Sequence, residues 1–82
     1  MKITNKQNYY KSSDLGCCAA LVTAGFELKM IDKANPKRVV FIFDMSEGIQ
    51  LSTEDYLSDR LEVSARRYFE NLRVLKSRIY GD

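Results

Sequence analysis

From Leu15 to Phe26 (LGCCAALVTAGF) the chain carries no charged residue, and this constrains the fold more than any other feature. Read as a helix, the stretch has a bulky face of Leu15, Cys18, Leu21 and Val22. Opposite it lies a small-residue face of Gly16, Ala20, Thr23 and Ala24. A helix that is apolar all round is buried on more than one side. Two arrangements meet that demand: a central helix sandwiched in the core of one chain, or a helix whose small face meets a second subunit. The chain has 82 residues, and a domain of that size buries only about 60–65% of its unfolded surface. A homodimer through Gly16, Ala20, Thr23 and Ala24 is therefore expected.

Ser12-Ser13-Asp14 supplies the start of this helix, because these side chains accept hydrogen bonds from the free N–H groups of the first turn. Gly25 supplies its stop. Phe26, Leu28 and Met30 then alternate with Glu27, Lys29 and Ile31, the period of a strand. Lys33-Ala34-Asn35-Pro36 is a turn. The run from Arg38 to Phe43 (RVVFIF) is the strongest strand. Val39, Phe41 and Phe43 fall on one face, Val40 and Ile42 on the other, which predicts a central strand covered on both faces. One hairpin partner leaves an edge free for Tyr9-Tyr10 or Leu61-Glu62-Val63, giving at least three strands.

Residues 44–59 predict a short acidic helix. Asp44 or Ser46 can cap it, Ser52-Thr53-Glu54-Asp55 offers a second start, and Ile49, Thr53, Tyr56 and Leu57 would face inward. Ser64 then caps a long amphipathic helix that Gly81 ends. Ala65, Tyr68, Phe69, Leu72, Leu75 and Ile79 share its inner arc, with Phe41 and Phe43 as their expected partners in the core. The expected architecture is α+β: helix, antiparallel β-hairpin within a sheet of about three strands, short acidic helix, long C-terminal amphipathic helix. Residues 1–8 are polar and without period and predict a frayed terminus; residues 9–82 predict a single domain.

Composition excludes several functions. There is no His, so the commonest general base is missing. No Gly-rich phosphate loop and no metal-ligand spacing are present. Cys17 and Cys18 are adjacent, and a disulfide between neighbours is badly strained, so both read as small apolar residues. A non-catalytic protein without cofactor or metal is expected. No apolar run approaches the roughly 20 residues of a membrane span. The N-terminal MKITNKQNYYKSS lacks the apolar stretch of a signal peptide, so a cytoplasmic location is expected.

The net charge of +2 hides a segregation. Residues 41–59 hold five acids and no base, while basic residues outnumber acids on either side. Arg66 and Arg73 border one side of the last helix's apolar arc, and Arg67 and Arg78 the other. Lys37 and Arg38 at the hairpin end could extend a basic patch, and Lys76 falls inside the arc between Phe69 and Tyr80. Arginine suits bidentate phosphate contact. These seven residues are the candidates for binding nucleic acid or another anion. Glu70, placed to pair with Arg66, Arg67 or Arg73, opposes that reading. The alternative is a protein-interaction module acting through the uncharged helix and a sheet edge. An inhibitor from a mobile element would fit this, and so would sequestration of a nucleotide-like anion between subunits.

The order of motifs resembles a family of short stand-alone proteins of bacteria, archaea and mobile elements, known only as a domain of unknown function. Its marks here are Tyr10 with Ser13-Asp14-Leu15, the Phe41/Phe43 strand, and Arg67-Tyr68-Phe69 with Leu75-Lys76-Ser77. The likeness spans roughly residues 9–80. It implies no activity, cofactor or partner.

Overall fold

The computed structural model describes residues 9–80. The expected frayed terminus, 1–8, and the expected helix end at Gly81 lie outside the described residues. The chain runs β1 (Tyr9–Ser12), α1 (Leu15–Thr23), β2 (Leu28–Asp32), β3 (Val40–Asp44), α2 (Ile49–Leu57) and α3 (Ala65–Tyr80). This is the expected α+β class, with a three-stranded antiparallel sheet in the order β1-β3-β2. The apolar strand β3 is central, and it is Tyr9-Tyr10, not Leu61-Glu62-Val63, that pairs on its second edge.

α1 is fixed at both ends by local chemistry. The Cys17 N–H donates to Asp14 Oδ1 (3.0 Å) at its start. At its end Gly25 takes φ +109, and the N–H groups of Gly25 and Phe26 donate to the carbonyls of Val22 and Leu21. That double bond pattern is a Schellman motif, and it needs the left-handed residue that glycine provides most readily.

The sheet buries one face only. Tyr10 and Ser12 of β1 stand opposite Phe43 and Phe41 of β3, which stand opposite Leu28 and Ile31 of β2. Phe41 and Phe43 are fully buried, together with Cys17, Cys18, Leu21, Ile49 and Leu75. Two expectations fail here. A register shift between Leu28 and Met30 breaks the alternation of β2, so Ile31 turns inward and Met30 is 53% exposed. Val40 and Ile42 were expected under cover on the second face. They are only half-buried, and no helix of the described residues joins them in the core. Tyr9, Lys11, Met30 and Asp44 share that open face with them.

α2 is a single short helix. Gly48 begins it in the left-handed region (φ +92) and Ile49 anchors it, fully buried. Leu57, expected inside, is exposed. α2 ends on a second Schellman pattern, in which the Arg60 N–H donates to the Asp55 carbonyl. The left-handed residue there is Asp59 (φ +63).

The small-residue face of α1 is covered within the chain. The Tyr68 hydroxyl donates to the Gly16 carbonyl (3.3 Å), and Asn71 Nδ2 donates to Thr23 Oγ1 (2.9 Å). Ala20 is 2% exposed. A Cβ on Gly16 would fall 2.7 Å from the Tyr56 hydroxyl oxygen and 3.3 Å from that of Tyr68. The expected self-association surface is thus the seat of α3 and the Tyr56 side chain. Of its four residues Ala20 is buried, Gly16 and Thr23 are half-buried, and Ala24 is exposed.

Candidate anion and nucleic-acid interface

α3 begins at Ser64, whose Oγ accepts the Arg67 N–H (3.2 Å). Its inner side is Tyr68, Leu72, Leu75 and Ile79, all packed on the core. Phe69 was expected among them and is instead 59% exposed. The cause is helical phase. Tyr68, Leu75 and Ile79 centre the buried arc, which leaves Phe69 on its rim beside Lys76.

This rim forms a continuous outer stripe. Positions 66, 69, 73, 76 and 80 recur at alternating spacings of three and four, so Arg66, Phe69, Arg73, Lys76 and Tyr80 lie along one side of α3. All five are exposed, and Tyr80 is 76% exposed. Cations and aromatic rings therefore alternate on one solvent-facing ridge. Lys76 does not sit in the apolar arc; it projects from this ridge. Glu70 resolves its three possible partners in favour of Arg73 (3.3 Å), an exposed pair worth little against competing solvent. Among the described residues, Arg66 and Lys76 make no ion pair.

The first turn of α3 holds Arg66 and Arg67 and no acid. Cations there oppose the partial positive charge of the free N–H groups. Local stability would favour acids at both positions.

Tyr80 leads from the ridge into a groove of about 380 Å³ between the hairpin end and the last turn of α3. Half-buried Leu15, Val39 and Ile79 and buried Phe41 form its floor; exposed Lys37, Arg38 and Tyr80 form its rim. Two Asn35 contacts fix the backbone at Lys37 and Arg38. Asn35 Oδ1 accepts the Lys37 N–H (2.9 Å), and the Asn35 carbonyl accepts the Arg38 N–H (2.9 Å). Arg38 also borders a neighbouring hollow with Lys11, Ser12 and Ser13. Five of the seven candidate basic residues thus join one ridge and groove: Arg66, Arg73, Lys76, Lys37 and Arg38. Arg67 and Arg78 occupy the opposite flank of α3 with exposed Val74. There Lys33 Nζ donates to the Arg78 carbonyl (2.9 Å), tying the hairpin to the end of α3.

Sequence reasoning missed Lys11 and Ser13, which strand pairing brings beside Arg38 from 25 residues or more away. It also missed the exposure of Phe69 and Tyr80. One signal was present: Lys76 falls beside them on the wheel, and a lysine there marks a wet flank.

A smaller cavity of about 210 Å³ lies between α1, α2, α3 and the α2–α3 connection, bordered by Ala20, Tyr56, Leu61 and Tyr68. Burial pushes the Tyr56 hydroxyl up to about 12, helped by its hydrogen bond to Tyr68. Burial likewise raises Cys17, and Cys18 to about 12, so both thiols stay protonated and unreactive. Among the described residues no cluster of His, Cys, Asp or Glu could hold a metal ion, and no helix is long and apolar enough to cross a membrane.

The family model for DUF5659, a domain of unknown function, matches residues 7–81. No curated protein and no solved structure matches the chain.

Proposed function

Since the chain belongs to the DUF5659 family, a domain of unknown function, we propose from its own geometry a non-catalytic binding protein that holds nucleic acid along α3. The observation that carries this reading is the exposed ridge of Arg66, Phe69, Arg73, Lys76 and Tyr80 running to Lys37 and Arg38. Arginines bind phosphates bidentately. Exposed rings between them offer faces to bases. Arg66 adds support, because it stands in the first turn against the helix dipole and makes no ion pair among the described residues.

Phosphate contacts release counterions, so affinity should fall with salt. Engagement of about four phosphates predicts a loss of roughly 100-fold between 50 and 200 mM salt. Fluorescence anisotropy with a labelled oligonucleotide measures this. Binding that ignores salt, or none at low salt, would rule the reading out.

A second reading, association with another copy of the chain, is favoured by the open sheet face. Exposed Met30 and half-buried Val40 and Ile42 lie there between cations and acids, Lys11 and Lys29 with Asp32 and Asp44. A two-fold pairing of such a face can match its own charges. Sedimentation at micromolar concentration tests it, and Met30→Glu should return a dimer to monomer.

A further inference from the structure

We propose that the groove between the hairpin end and the last turn of α3 receives an unpaired base, which makes single-stranded nucleic acid the partner. This rests on the reading of α3 as a phosphate-binding ridge and goes further by naming the form of the strand.

Three features of the groove select this occupant. Its floor is apolar, formed by Leu15, Val39, Phe41 and Ile79, and a fully solvated anion gains nothing from such a surface. Its rim carries Lys37 and Arg38, neither with an ion-pair partner among the described residues. A purely apolar guest would leave those charges unused. The exposed Tyr80 ring stands at the mouth, where the ridge enters the groove. A ligand that is planar and apolar at one end and anionic at the other matches all three, and a nucleotide unit is such a ligand. The volume of about 380 Å³ falls within the span of ordinary ligand sites, roughly 300–1,000 Å³.

Continuity decides between a free nucleotide and a strand. Tyr80 belongs both to the groove and to the ridge, whose cations continue through Lys76 and Arg73 to Arg66. Those positions span about 20 Å of helix at 1.5 Å per residue, farther than one nucleotide reaches. A duplex keeps its bases stacked and paired, so it can use the ridge but cannot fill the groove. A single strand can do both.

The test is anisotropy with four labelled probes: a mixed-sequence single strand, the same strand with abasic sites, the matching duplex, and a nucleoside monophosphate. The single strand should bind about tenfold or more tighter than the abasic strand, as one stacked base contributes. Tyr80→Ala should remove that difference and Tyr80→Phe should restore it. Tyr80 is exposed, so a thermal melt should show both variants folded. Equal affinity for base-bearing and abasic strands would overturn the base site while leaving the phosphate ridge standing. Duplex binding as tight as the single strand would do the same. A monophosphate that binds as well as the strand would overturn the assignment to a strand. No binding of any probe at low salt would remove the ridge reading as well.

Discussion

Arg66 and Arg67 sit side by side in the first turn of α3, yet they face different sides, and this separates stability from binding. An acid at either place would meet the free N–H groups and the positive end of the helix dipole. Arg67→Glu would also complete a capping box with Ser64, whose Oγ already accepts the Arg67 N–H. Each change should stabilise the fold by about 0.3–1 kcal/mol. Only Arg66→Glu should weaken nucleic-acid binding, because only Arg66 lies on the ridge. Denaturant melts and anisotropy on the two variants check this, and a loss of stability in both would show that the arginines serve the fold. Cys18 and Tyr56 set a limit at high pH. Burial holds both near 12, above the ordinary 9.0 and 10.0, and Cys17 is raised as well. Between about pH 9 and 12 the unfolded chain releases these protons first. It then binds fewer protons than the folded chain, so stability falls as pH rises. The contribution is fully present below about pH 9. Melts at neutral pH and at about pH 11 should show the decline, and Cys18→Ala should flatten it; an unchanged pH dependence in that variant would contradict the assignment.

At the scale of elements, α1 and β3 support everything else. Phe41→Ala should cost about 3–5 kcal/mol, since its ring is buried in the core. Phe69→Ala should cost less than about 0.5 kcal/mol, because that ring stands in solvent. Comparable costs in urea melts would place Phe69 back in the core. The starts of α1 and α3, the hairpin, the central place of β3 and the class of fold were legible in the residues, because caps, turns and periodicity are local. The cover over α1 was not. An uncharged helix announces that it is buried, but Gly16, Ala20 and Thr23 do not say whether Tyr68 and Asn71 of the same chain or of another will bury them. Periodicity also failed at Met30, where a bulge reverses the faces, and at Phe69, where apolar type said less than helical phase. The ridge was legible only in part. The arginines were visible, but their division between two flanks depends on which arc of α3 meets α1. The groove with Lys37 and Arg38 depends on the hairpin end meeting the last turn of α3.

Over the whole molecule, a net charge of +2 is small for a nucleic-acid-binding protein, and arrangement must compensate. Asp55 is engaged by Arg60, and Asp44 by Lys29. Those pairs confine part of the acidic segment to local contacts and leave the ridge cations to act together. The claim that one flank of α3 is the working surface is tested most directly by charge reversal on each flank in turn. Arg66→Glu with Arg73→Glu should weaken low-salt binding of a single-stranded oligonucleotide by more than about tenfold. Arg67→Glu with Arg78→Glu, which changes the net charge equally, should leave it within about threefold. Equal losses from the two pairs would mean that only overall charge matters, and would contradict the assignment of the ridge.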